Sequence, residues 1–269
     1  MYKKLLVFIF LLIYSFSFGQ SSSITLISWN IRDLGKTKDN KELERIADIV
    51  KDADIVAIQE IVAGFGGAQA VAKLNDILNR KGVAWDYVIS NPTHSPPYMT
   101  ERYAYIWKTK DIKIKTRGRL LKEVDSKIDR EPFLIDFYMD RRKFTILNFH
   151  SRPYSKNPKP EIEALTRFVA DSLKTPLILA GDFNTNENDE VFSSFKKSGY
   201  SVATTNKKTT LKRSCVSGSY LNYVIDNIFY SKNITKIKGS VIDFVKACDE
   251  LPKARKLSDH LPVYLEFTF

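Results

Sequence analysis

The chain has 269 residues, 43% of them hydrophobic and 27% charged. That composition argues against disorder or a coiled coil and suits one large globular domain or two small ones. Formal net charge is +11 and the sequence pI is about 9.4, an excess that favours a polyanionic partner such as nucleic acid or an anionic membrane surface.

Residues 1–20, MYKKLLVFIFLLIYSFSFGQ, place Lys3 and Lys4 before a short apolar run that ends in small and polar residues. This is the layout of a secretory signal peptide, with cleavage expected near Gly19 or Gln20; the alternative is an uncleaved anchor. Cleavage removes two lysines and no acid, lowering the net charge from +11 to +9. It leaves a secreted or periplasmic chain, because no later segment is long and apolar enough to anchor it in a membrane. Residues 21–269 contain no repeat or linker and read as one domain.

Strand-like and helical segments alternate, which predicts an α/β class. ITLISWN (24–30) has strand character, KELERIADIVKD (41–52) carries apolar residues at helical spacing, and DIVAIQE (54–60) is again a strand. GAQAVAKLNDILNR (67–80) predicts a second amphipathic helix that leads towards WDYVIS (85–90). In the middle, RYAYIWK (102–108), DIKIKTRGRLL (111–121), PFLIDFYM (132–139) and KFTILNFH (143–150) predict strands in consecutive antiparallel pairing. PEIEALTRFVADSLK (160–174) predicts a helix with Pro160 in its first turn. LILAGDFNT (177–185), NYVIDNIFYS (222–231) and PVYLEFTF (262–269) complete the strands, while residues 232–258 are expected to be loops.

LILAGDFNT joins an apolar strand to Asp182 and Asn184, which share one side of the chain if the extended conformation continues. Gly, Asp and Asn also suit a turn. What weakens the turn reading is repetition. Other strand-like segments run into Asn30, Glu60 and His150, YVID carries Asp226, and SDHLPVYLEF supplies Asp259 and His260. In α/β sheets such strand ends are where ligands bind, since rigid strands hold exposed loops.

Taken in order, WN (29–30), QE (59–60), ERY (101–103), His150, GDFN (181–184), ID (225–226) and SDH (258–260) resemble the endonuclease/exonuclease/phosphatase superfamily. NIRDLGKTK (30–38), ERYAYIWK (101–108), REPF (130–133) and FHSRP (149–153) are most similar to its secreted deoxyribonuclease I branch. The resemblance spans essentially all of the mature chain. It implies a four-layer α/β sandwich of two packed mixed or antiparallel sheets flanked by helices, with low-specificity, metal-dependent hydrolysis of DNA as the activity. There are departures: Ile61-Val62 follow Glu60 in place of a groove-inserting arginine, and Tyr98 is out of register with the groove-contacting tyrosine. The cysteine positions differ too. Export permits a bond between Cys215 and Cys248, but the sequence supplies no Cα separation to decide it.

The resemblance also implies roles. Asn30, Glu60 and Asp259 would hold Mg²⁺ or Mn²⁺, hard cations that take carboxylate and amide oxygens, with Ca²⁺ as a further candidate ion. His260 with Asp226 would activate water, and His150 with Glu101 would serve the leaving oxygen. A histidine moves protons well only when a second group fixes its tautomer. Asp182 would position the nucleophile or a metal, Asn184 would bond the scissile phosphate, and Arg32 and Arg130 would contact DNA phosphates. A monomer with no protein partner is expected. Fold and catalytic set do not fix the substrate, so two alternatives stand: a phosphoinositide or sphingomyelin hydrolase of the same superfamily, and a non-catalytic nucleic-acid-binding protein.

Overall fold

The computed structural model describes residues 23–269 except 97, 174 and 175. The signal-peptide reading of residues 1–20 therefore lies outside the described residues. The first third of the fold comprises β1 (Ile24–Leu34), α1 (Asn40–Val50), β2 (Ile55–Val62), α2 (Phe65–Asn79), β3 (Trp85–Ile89) and β4 (Glu101–Lys108). Then come β5 (Ile112–Ile114), β6 (Arg119–Leu120), β7 (Phe133–Met139), β8 (Arg142–His150), α3 (Lys159–Ser172) and β9 (Leu177–Asp182). The last part holds α4 (Ser193–Lys197), β10 (Tyr200–Val202), β11 (Leu211–Val216), β12 (Ser219–Leu221), β13 (Asp226–Ser231), β14 (Thr235–Val241), α5 (Leu251–Leu257) and β15 (Val263–Thr268).

Two large sheets result. One has the order β14-β15-β1-β2-β4-β3; the other runs β10-β13-β9-β8-β7-β5, with β6 also on β7. Each has one parallel pair near its centre, β1 with β2 and β8 with β9, joined by α1 and α3 respectively. A parallel pair needs such a crossover, and the helix then covers the outer face of its sheet. The inner faces pack on one another through a core that includes Leu26, Ala57, Tyr105, Phe137, Ile146 and Ile228. One outer face is sealed by α1 and α2 through Leu43, Ile46, Leu74 and Leu78, the other by α3 and α4 through Ile162, Leu165 and Phe195. The architecture is the expected four-layer mixed α/β sandwich.

Three local expectations need correction. The middle strands do not all pair in succession: β4 lies in the first sheet and β5 in the second, so the connection between them crosses the sandwich. DIKIKTRGRLL is two short strands rather than one, interrupted at Gly118, which has φ +74. Residues 232–258 contain β14 and α5. The first is an exposed edge strand carrying Lys236 and Lys238, a composition typical of protected edges rather than of a buried face. The second is seven residues long, too short to display a helical period.

The period of two along each strand positions the site. Inward-facing rows run Leu26-Ser28-Asn30 on β1, Ala57-Gln59 on β2, Tyr105-Tyr103-Glu101 on β4, Ile146-Asn148-His150 on β8, Ala180-Asp182 on β9 and Ile228-Asp226 on β13. Each is apolar deep in the sandwich and polar at the same end of it. Between the two regions lies a layer in which Gln59 Nε2 donates to Ser28 Oγ at 3.1 Å and to Asn148 Oδ1 at 2.5 Å.

Candidate active site

Strand register brings the expected residues together. In the second sheet Asp182 of β9 lies directly opposite His150 of β8 and Asp226 of β13. Side chains opposite one another on neighbouring strands share a face, so one carboxylate stands between an imidazole and a second carboxylate. Gly181 makes the close approach feasible: its φ is +152, and a Cβ there would lie 1.7 Å from the carbonyl oxygen of Phe149. No other residue type fits that contact.

Two imidazoles are each held by a carboxylate. His150 Nδ1 lies 2.9 Å from Glu101 Oε2, and His260 Nδ1 lies 3.0 Å from Asp226 Oδ2. In both, Nδ1–H donates to the carboxylate and Nε2 is turned to Asp182 Oδ2, at 3.5 Å from His150 and 3.8 Å from His260. Burial acts to lower the pKa of His260, but Asp226 and Asp182 outweigh it and raise the value to about 10. Burial, with Asp182 nearby, raises Asp226 to about 6 against the pull of His260. Burial and Arg130 act to lower the pKa of His150, but Glu101 and Asp182 raise it on balance.

The first sheet contributes Asn30 and Glu60. Asn30 is fully buried, and its Nδ2 donates to Glu60 Oε1 at 2.9 Å and Asp182 Oδ2 at 3.1 Å. Its Oδ1 is buried with no hydrogen-bond partner. A bulge in β2 resets the backbone at Glu60. Ile58 pairs with Ala104 and Ile61 with Arg102, so β2 holds one extra residue there and Glu60 adopts φ +58. Its backbone N–H then donates to Glu101 Oε1 at 3.3 Å, tying the Glu60 bulge to the His150 dyad.

The remaining expected residues are placed less simply. Asp259 Oδ2 accepts from Arg32 Nη1 at 3.0 Å and lies 3.6 Å from Arg255 Nη2, so it is ion-paired rather than open. Strand β9 stops at Asp182, and Asn184 is left-handed with φ +48, so the extended arrangement of those two side chains does not occur. They stay adjacent by a turn, the Asn184 N–H donating to Asp182 Oδ1 at 2.9 Å. Arg130, expected to contact DNA phosphates, is buried in this structure. Its Nε donates to Met99 O and lies 3.3 Å from Glu101 Oε2, while Nη1 donates to the carbonyls of His150 and Ser151. Arg130 therefore positions Glu101 and the chain beyond His150.

Further side chains support the site or lie outside it. Thr209 Oγ1 donates to Asp226 Oδ2 at 2.6 Å, yet nothing in KKTTL marks it. Ser258 Oγ donates to Asn30 O at 2.6 Å and accepts from His260 N at 3.0 Å, which explains the serine of SDH. The third histidine, His94, is paired with the buried Glu131 at 2.8 Å in a different loop. Cys215 and Cys248 form a disulfide with a Cα separation of 5.7 Å.

The donor set fits a hard divalent cation. Asn30 Oδ1 lacks a partner beside the Glu60 carboxylate, and Asp182, Asp226 and His260 offer ligand atoms within 4.8 Å of one another. Oxygen-dominated donors of this kind suit Mg²⁺, Mn²⁺ or Ca²⁺ better than zinc.

The chain is similar in structure to an endonuclease/exonuclease/phosphatase family protein from Bacteroides thetaiotaomicron, with TM-score 0.67, 18% identity, and 93% of this chain and 99% of that chain covered. It is also similar to a mannosyl-6-phosphatase from the same organism (TM-score 0.65, 17% identity, 91% and 100% covered). A third likeness is to D. rerio TDP2 complexed with single strand DNA product (TM-score 0.63, 16% identity, 93% and 100% covered). No curated protein matches the chain. The Endonuclease/Exonuclease/phosphatase family model matches residues 27–260. The span includes every residue of the site, and the chain belongs to this family of metal-dependent hydrolases.

Proposed function

We propose that the protein is a divalent-metal-dependent endonuclease that hydrolyses DNA phosphodiester bonds with little sequence preference, and that it acts outside the cytoplasm as a monomer. The observation that carries this reading is the pair of carboxylate-held imidazoles converging on Asp182. Hydrolysis of a phosphate ester needs one group to take a proton from water and another to give one to the leaving oxygen. His260, held by Asp226, takes the water proton in its neutral form as the water oxygen bonds to phosphorus; a cation in the site would offset the Asp226 and Asp182 charges that otherwise keep this imidazole protonated. His150, held by Glu101, protonates the ester oxygen as its bond to phosphorus breaks.

Asp182 lies between them, where it orients the attacking water, and Asn184 beside it donates to a phosphate oxygen. Asn30, Glu60 and Asp259 would hold Mg²⁺ or Mn²⁺, which would supply charge stabilisation at the phosphoryl oxygens. The net charge of +9 on the mature chain, from +11 less Lys3 and Lys4, supports a polymeric anion as substrate. Among the structural relatives, one is complexed with a single strand DNA product and another is a mannosyl-6-phosphatase, so the common element is a phosphate ester.

The test is to incubate the mature protein with supercoiled plasmid, RNA, phosphoinositide vesicles and a sugar phosphate, each with Mg²⁺ or chelator. Metal-dependent nicking of the plasmid is expected. Release of phosphate from lipid or sugar with intact plasmid would overturn the reading.

A further inference from the structure

Among the described residues, four aromatic side chains are strongly exposed: Phe65, Tyr98, Tyr154 and Tyr223, from 64% exposed for Tyr223 to full exposure for Tyr98. All four lie within five residues of a site group: Phe65 of Glu60, Tyr98 of Glu101, Tyr154 of His150 and Tyr223 of Asp226. Other large aromatics of these strand ends, such as Trp29, Tyr103 and Phe183, are buried. Exposed rings are thus concentrated on the loops that frame the site.

Each ring is accompanied by basic side chains. Phe65 opens α2, where Gly66 packs on Gly35 so tightly that a Cβ on Gly35 would lie 2.4 Å from Gly66 O. This sets Phe65 beside the turn that carries the exposed Arg32 and Lys36. Tyr98 and Tyr154 lie on loops joined by Lys156 Nζ, 3.2 Å from Met99 Sδ. The carbonyl of Tyr223 accepts from Thr209 N at 2.7 Å, which brings the exposed Lys207 and Lys208 alongside.

We infer that these four rings form a stacking rim for single-stranded or locally unpaired nucleic acid, with the neighbouring lysines following its phosphates. The inference rests on the nuclease reading and refines its substrate. Rings on separate loops can meet base faces only when the bases are splayed, as in a single strand, because a duplex keeps those faces stacked on one another. A lipid surface fits less well. Phe65 stands between two glycines and Tyr154 among Arg152, Ser155 and Lys156, whereas membrane insertion needs a continuous apolar face.

The experiment measures anisotropy of a fluorescent single-stranded oligonucleotide, a hairpin duplex of the same composition and an abasic strand, with chelator present to prevent cleavage. It compares the full mature chain with Phe65→Ala, Tyr98→Ala, Tyr154→Ala and Tyr223→Ala. Loss of one stacking ring should weaken single-strand binding by about tenfold, within the usual range for base–aromatic stacking. Duplex and abasic binding should change by less than about threefold, because they depend on phosphate contacts. The variants should keep the wild-type melting temperature, since the rings are exposed. Unchanged single-strand affinity in all four would overturn the rim, as would an equal loss for duplex and single strand. Loss of binding to phosphatidylserine vesicles with nucleic-acid binding intact would replace it by a membrane surface. A wild-type protein that binds none of the three oligonucleotides but hydrolyses a sugar phosphate would remove the nuclease reading itself.

Discussion

Nε2 of His150 lies 3.5 Å from Oδ2 of Asp182, a contact set by the direct pairing of those two residues across β8 and β9. The same oxygen faces His260 Nε2 from the other side at 3.8 Å. Two imidazoles that share one carboxylate oxygen address one small volume, which is what in-line displacement at a single phosphorus requires.

Removal of either imidazole should therefore cripple turnover without unfolding the chain. His150→Ala and His260→Ala are each expected to lower kcat by at least about a hundredfold, the usual scale for general acid–base groups. Asp226→Asn should also lower it, because an amide can hold the wrong tautomer of His260. The measurement is initial-rate plasmid nicking by variants with native circular dichroism. Near-normal cleavage by either histidine variant would refute the assignment.

Much of this was legible because strand periodicity and motif order survive without an alignment. The row ending at His150 and the row ending at Asp182 are each visible as apolar strands running into polar residues. Their pairing was not, since register depends on contacts between segments remote in the chain. Arg130 shows the limit most plainly: REPF marks the residue, but only the packed loop reveals that its guanidinium points inward to Glu101. Thr209 had no signal, because a hydroxyl supporting Asp226 is indistinguishable in sequence from any surface threonine. Likewise, the left-handed Asn184 ended the extended run that LILAGDFNT suggested.

The buried Glu101–Arg130 pair predicts an acid-sensitive element. Burial acts to raise the pKa of Glu101, but His150 and Arg130 lower it on balance. A carboxylate whose folded pKa is depressed stabilises the native state above its unfolded pKa, and that contribution disappears as pH falls through the folded value. Arg130→Met removes one of the lowering charges, so its acid unfolding should begin at higher pH than in the wild type. Urea titrations in chelator between pH 3 and 8 measure this. Superimposable acid limbs would show that Arg130 does not support Glu101 electrostatically.

Cation binding should depend on Asn30. Its Oδ1 is buried without a partner, and a ligand that binds only the folded chain raises stability with concentration. Mg²⁺ or Mn²⁺ should therefore raise the wild-type melting temperature in a chelator-reversible way. Asn30→Leu, similar in size but without the oxygen, should lose at least half of that increase. Differential scanning calorimetry provides the readout independently of catalysis, and an undiminished shift would remove Asn30 from the cation site.

Gly181 is the position at which the fold of the site is least tolerant. Gly181→Ala would force a Cβ against Phe149 O at φ +152, and should destabilise by about 3 kcal/mol or more, since backbone strain and overpacking combine. Gly82→Ala provides the contrast. Its φ of +98 is also unfavourable, but nothing lies within 4 Å of the added carbon, so about 1 kcal/mol is expected from conformation alone. Denaturant midpoints of the two variants separate steric from conformational cost, and equal losses would contradict the close approach of β8 and β9.

The disulfide should govern the segment that delivers Asp259 and His260. Cys215 lies on β11 and Cys248 in the turn before α5, 33 residues apart. From α5, Arg255 Nη1 donates to the carbonyls of Leu211 and Lys212 at 3.0 and 3.1 Å. The bond and these contacts together hold α5, which ends two residues before Asp259, against β11. Closing a loop of that length is worth about 3–4 kcal/mol in the chain-entropy model, so reduction or Cys215→Ser should lower the unfolding midpoint substantially. Local opening should be greatest in residues 245–260, which hydrogen exchange with and without reductant would detect as faster exchange there than in β8 or β9. The central strands are held by the two-sheet core and should keep their protection. Uniform acceleration across the chain would instead mean that the bond stabilises the fold globally and does not specifically secure the arm bearing His260.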